Sequence, residues 1–172
     1  MSQPVSVKLK NIQTIDRVAY LLATGFGAGL APKAPGTFGA LESVATFCLM
    51  FVLHLSGQLN LILLIAFSLL SYVVGVWSAN RVCNLLKNDD PKQVVIDEIN
   101  GQFIAFIPLA FNPTILGIVI AFALFRLFDI FKPYPIRKIE HLHGGFGVMS
   151  DDTLAGVYAA VLVWLGHYFT LF

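Results

Sequence analysis

The chain has 172 residues, 57% of them hydrophobic and only 12% charged, against about a quarter charged in an ordinary soluble domain. The charges are also segregated, since 43–80, 99–125 and 153–172 contain no Asp, Glu, Lys or Arg and together make up about half the chain. This pattern excludes disorder and a water-soluble globule, and a net charge of +1 without a basic stripe excludes a nucleic-acid partner. The chain reads as all-α, a small polytopic membrane bundle of about five hydrophobic helices forming a single domain over 1–172.

Residues 1–17 are polar and mixed, which predicts a short helix or tail at the membrane surface. Arg17 precedes the apolar run 18–31, as in a signal peptide. That run is short and glycine-rich, and Pro32 follows its one small-residue site, so it is read as mature sequence. Residues 25–39, GFGAGLAPKAPGTFG, hold five glycines and two prolines and predict a structured loop. An apolar helix is expected over 39–55, with Glu42 near its start, and Ser56-Gly57-Gln58 makes a turn. The clearest span is 59–79, whose 21 residues give a helix of about 32 Å for a hydrocarbon core of about 30 Å.

A polar loop follows over 80–96, with Asp89-Asp90-Pro91 as its turn. Asn112-Pro113 divides the next apolar stretch into a short helix, 97–111, and a longer one, 114–131. Lys132-Pro133-Tyr134-Pro135 ends the latter, a loop runs to 152, and the last helix occupies 153–169. The shortness of the third helix leaves a re-entrant hairpin as an alternative to two full spans. Five crossings gather 1–37, 80–97 and 132–152 on one face, with every Lys and Arg except Arg126, which lies in the last turns of helix four. The positive-inside rule makes that face cytoplasmic. A four-helix count would split the charged loops between the two sides.

The two cysteines, Cys48 and Cys83, form no disulfide or zinc pattern. The carboxylates cluster instead. Asp97-Glu98 and Asp151-Asp152 are expected to open helices, where capping and the helix dipole explain them as well as chemistry does. Asp129 resists that explanation, because it sits near a helix C-terminus among Phe125, Leu127, Phe128, Ile130 and Phe131. Its bland reading is an ion pair with Arg126; its functional reading follows from the cost of charge inside a span. Several carboxylates without Cys or His nearby suit Mg²⁺. Lys33, Arg126, Lys132 and Arg137 could neutralise an anionic substrate, and Gly27, Gly36 and Thr37 lie in a loop able to turn N–H groups toward phosphate. That loop has neither established phosphate-loop spacing, so tight packing is its alternative. His143 is a candidate proton shuttle or simply structural. His54 and His167 fall toward the opposite face, and Trp77 and Tyr168 read as packing and interface anchors. The aspartyl, cysteinyl and CDP-alcohol phosphotransferase patterns are absent.

Four blocks in register, GFGAGLAPKAPGTFGAL (25–41), VVIDEINGQ (94–102), FRLFDIFKPYPI (125–136) and HGGFGVMSDDTLAGVYAA (143–160), resemble the phosphatidylglycerophosphatase A family of bacterial membrane lipid phosphatases. The resemblance implies a Mg²⁺-dependent enzyme of the cytoplasmic membrane that converts phosphatidylglycerophosphate to phosphatidylglycerol and phosphate. It implies acidic site positions at Asp97, Glu98, Asp129, Asp151 and Asp152, without dividing them between metal ligands and base or nucleophile. The expected arrangement has these acids holding Mg²⁺, with Asp97, Asp129 and Asp151 in the chemistry and Lys33, Arg126 and Lys132 on the terminal phosphate. The alternatives are a phosphatase for another lipid phosphate, or a non-catalytic transporter or lipid-binding protein using Arg126 and Asp129 as a gated pair.

Overall fold

The computed structural model describes residues 13–139, 142 and 144–169, and among them there is no strand. In chain order the α-helices are α1 (Thr14–Ala23), α2 (Pro35–Val52), α3 (Gly57–Leu86), α4 (Ile96–Phe106), α5 (Ile115–Phe131), the single turn α6 (Ile136–Ile139) and α7 (Gly144–Tyr168). Tight 3₁₀ turns occupy Gly25–Leu30, after α1, and Ile107–Leu109, after α4. Three helices, α2, α3 and α7, are long and apolar enough to cross a membrane. The 17 residues of α5 reach about 26 Å, just under the hydrocarbon thickness of about 30 Å. With only 11 residues, α4 is about 16 Å long.

Its burial explains how so short and polar a helix is tolerated. Eight of its eleven residues are buried, including Asp97, Asn100 and Gln102, and α2, α3, α5 and α7 pack around it. Polar groups that would be costly against lipid therefore face protein. Asn100 ties three helices together. Its Oδ1 accepts from the hydroxyls of Ser68 and Ser71 on α3 at 3.1 and 3.2 Å, and its Nδ2 donates to Thr153 Oγ1 on α7 at 2.7 Å. Small residues bring the backbones close, as in other membrane helix pairs. A Cβ on Gly156 of α7 would run into the Gly101 carbonyl of α4.

The structure moves three expected boundaries. The helix after the glycine-rich loop begins at Pro35, not at 39, because proline is pre-set for the first helical position and lacks the N–H that would be unpaired there. The expected polar loop 80–96 is helical as far as Leu86, since one face of that extension is buried. Val82 and Cys83 pack with Tyr20 and Ala23 of α1, and Arg81 pairs with Asp16 at 2.6 Å. The last helix starts at Gly144, nine residues early. The glycines in the stretch expected as a loop serve close packing, for a Cβ on Gly145 would meet the Val76 carbonyl of α3. In the expected N-terminal polar segment, Thr14 onward is the start of α1, while 1–12 lie outside the described residues. His143 lies outside them as well.

Successive long helices run antiparallel. At one end α2, α4 and α7 begin and α3 and α5 finish, converging on a common cavity. At the other end Gly57 abuts Phe111, and Asn60 Nδ2 donates to the Ala110 carbonyl at 3.1 Å.

Candidate active site

The common cavity measures about 260 Å³. Asp97 and Glu98 reach it from the first turn of α4, Asp129 from the last turn of α5, and Asp151 and Asp152 from the third turn of α7. The loop after α3 adds Asp89, Asp90 and Lys92, and Lys132 enters from the residue that ends α5. Seven of the ten acidic residues in the chain thus line one cavity. Capping fails as an explanation for Asp151 and Asp152, which are the eighth and ninth residues of their helix. Asp97 does accept the Glu98 N–H at 3.0 Å, so it serves the helix start and the cavity together.

Two cations hold part of this charge. Arg126 Nη1 lies 2.6 Å from Asp129 Oδ2 and 3.8 Å from Glu98 Oε1, and Lys132 Nζ donates to Asp151 Oδ2 at 2.7 Å. The ion pair anticipated as the bland reading of Asp129 is therefore present, and Arg126 spans two acids rather than one. Gly36, the second residue of α2, is buried against this pair, and a Cβ there would strike the Glu98 carboxylate and lie 3.2 Å from Arg126 Nη1. Only glycine lets the start of α2 approach so closely. The N-terminus of α2, the positive end of its dipole, faces the same cavity through Pro35 and Gly36.

Two lysines and one arginine do not balance seven carboxylates, and close like charges repel strongly where water is scarce. A phosphate would be repelled by such a cavity unless a cation came with it. The donor set fits a hard divalent cation. Oxygens of Asp97, Glu98 and Asp152 lie within 4.8 Å of one another, and Glu98 Oε2 is buried without a hydrogen-bond partner among the described residues. All three are carboxylates, which suit Mg²⁺ rather than softer metals.

Of the residues singled out from the sequence, Asp97, Glu98, Asp129, Asp151, Asp152, Lys132 and Gly36 line the cavity, and Arg126 lies directly behind it. Gly27, Lys33, Thr37 and Arg137 do not line it. Gly27 has open space where a Cβ would stand, Lys33 is exposed, and Arg137 lines a neighbouring groove. Three charged lining residues are not among those singled out from the sequence: Asp89, Asp90 and Lys92. The signal for them in the sequence is the charge density of the Asp-Asp-Pro turn.

Comparison with known proteins agrees with this geometry. The chain is 37% identical over 166 residues to "Phosphatidylglycerophosphatase A" of Haemophilus influenzae, covering 95% of this chain and 96% of that protein. It is 35% identical over 154 residues to the Escherichia coli protein of the same name, covering 88% and 86%. A Bacteroides thetaiotaomicron protein, provisionally named a phosphatidylinositol-3-phosphatase, is 43% identical over 149 residues, covering 83% and 89%. No solved structure matches the chain. The family description "Phosphatidylglycerophosphatase A" matches residues 21–167, a stretch that contains every acid of the cavity. With a family match over most of its length and relatives 35–37% identical along nearly the whole of both chains, this chain belongs to the phosphatidylglycerophosphatase A family.

Proposed function

We propose that the protein hydrolyses the terminal phosphomonoester of phosphatidylglycerophosphate, releasing phosphatidylglycerol and inorganic phosphate, with Mg²⁺, at the cytoplasmic face of a bacterial inner membrane. The observation that carries this reading is the gathering of seven acids in one cavity at the end of a lipid-embedded bundle of this family. Asp97, Glu98 and Asp152 would hold Mg²⁺, with Asp129 and Asp151 beside them. Bound there, Mg²⁺ would supply the positive charge that draws phosphate oxygens in and stabilises charge developing on them.

The chain's own residues do the rest. Arg126 fixes the direction of the Asp129 and Glu98 carboxylates by its position between them, and Lys132 does the same for Asp151. The N-terminus of α2, at Gly36, presents the positive end of its dipole to the incoming anion. Hydrolysis forms a bond from a water oxygen to phosphorus and breaks the bond from phosphorus to the glycerol oxygen. The proton lost by the water passes to a carboxylate of the cluster, which returns it to the departing glycerol oxygen, so that the leaving group is the alcohol. Acyl chains stay among the exposed apolar side chains of α3 and α5, so only the headgroup enters the cavity.

The relative from Bacteroides supports a second reading, a phosphatase for a phosphoinositide. Purified protein in neutral detergent, offered phosphatidylglycerophosphate, phosphatidylinositol 3-phosphate and phosphatidic acid, separates the two. Release of phosphate chiefly from phosphatidylglycerophosphate is expected, and preference for the inositol lipid would overturn the assignment. A gated transporter is disfavoured, since the pair Arg126–Asp129 belongs to the cavity at the bundle end.

A further inference from the structure

Beside the acidic cavity lies a groove of opposite character. It measures about 540 Å³ and is lined by Phe131, Lys132, Tyr134, Arg137 and Lys138, together with Pro133. Lys132 lines both spaces, so the two share a wall. Its backbone is left-handed (φ 44°), which ends α5 and turns the chain toward α6. That single turn then presents Arg137 and Lys138, both exposed. Among the described residues no acid lines the groove, and neither Arg137 nor Lys138 has an ion pair. Lys138 Nζ sits 5.1 Å from the centre of the Tyr134 ring. Ile130, Phe131 and Tyr134 are 67, 70 and 74% exposed and make an apolar lip continuous with the outer face of α5.

The two spaces differ in what they need from a ligand. The acidic cavity takes an anion only together with a cation, whereas the groove offers positive charge directly, on side chains suited to phosphate. A phosphatidylglycerophosphate molecule carries two phosphates joined by a three-carbon bridge. The monoester is the one to be cut, and the diester lies on the side of the acyl chains. We propose that the groove binds the phosphodiester of the lipid substrate through Arg137 and Lys138 while the monoester occupies the acidic cavity. The apolar lip receives the start of the acyl chains. The inference rests on the proposed reaction and deepens it: the groove would select lipids carrying a diester at this distance from a terminal phosphate.

The test compares KM for phosphatidylglycerophosphate with the inhibition constant of inorganic phosphate, which reports the acidic cavity alone. Measurements in neutral detergent micelles with saturating Mg²⁺ remove any attraction to bulk anionic lipid. For the Arg137→Gln/Lys138→Gln double variant, KM should rise about tenfold, as expected for one or two lost charge-assisted contacts, with kcat within twofold and the phosphate inhibition constant unchanged. An Arg137→Lys variant should recover most of the loss. A parallel rise in both constants, or no change in KM, overturns the diester subsite while leaving the reaction standing. No turnover of phosphatidylglycerophosphate by the unaltered protein overturns the reaction and the subsite together.

Discussion

Asp129 is the residue at which a structural and a chemical role can be told apart. Its carboxylate pairs with Arg126 at 2.6 Å, yet it also lines the cavity. In Asp129→Asn the amide oxygen still accepts from the guanidinium, so the fold should persist with an unchanged melting profile. Turnover should fall by about 100-fold or more, the scale of losing a positioned charge in an active site. Retained turnover with a lowered melting point would mark the pair as structural. Gly36 offers a complementary test. A methyl group there must displace the Glu98 carboxylate, and Gly36→Ala should lose about 100-fold in kcat/KM, since a shift of an ångström at a reacting centre costs that much. Activity near the unaltered level would mean that Glu98 needs no fixed position.

At the scale of elements, the crossing of α4 and α7 governs the site, because four of its acids ride on those two helices. Asn100 and Gly156 maintain it from below. Asn100→Leu would strip the Ser68, Ser71 and Thr153 hydroxyls of a buried partner, at about 1–3 kcal/mol. Gly156→Leu would push the backbones apart, at about 1–3 kcal/mol of overpacking. In both variants thermal stability and apparent Mg²⁺ affinity should fall together, measured by melting in detergent across a Mg²⁺ titration. Loss of stability with Mg²⁺ affinity untouched would separate the crossing from the site. The same elements illustrate what local patterning conveys. Proline at the start of α2, at Pro35, obeys a local rule, yet its helical start was obscured by the glycines around it. Those glycines answer to neighbours such as Glu98 and Val95, which are distant in sequence.

For the whole molecule, the alternation of helices predicts that the acidic cavity and the Ser56 turn face opposite sides of the membrane. In a variant lacking Cys48 and Cys83, a cysteine replacing Asn88 should react with an impermeant thiol reagent only after the inner membrane is opened. A cysteine replacing Gln58 should react in intact spheroplasts, and the reverse pattern would invert the orientation. Chelation by EDTA should abolish phosphate release, and added Mg²⁺ should restore it; full activity in EDTA would remove the divalent cation from the reading.

The membrane bundle was legible in the chain itself, because water cannot favour long charge-free apolar runs and hydrocarbon cannot solvate charge. Asp129 stood out for a related reason, since charge inside a span is costly. The acids at 97, 98, 151 and 152 fitted helix capping equally well and were named through the resemblance of their blocks. Tertiary structure alone decided which side chains share a space. It placed Asp151 and Asp152 in the third turn of a helix instead of at its cap, and drew Asp89, Asp90 and Lys92 to the same cavity. It left Gly27, Lys33 and Thr37 off the cavity wall and set Arg137 in a groove of its own. Local rules reach one helical turn along the chain, whereas the facing of a side chain depends on helical phase and on the distant backbones packed against it.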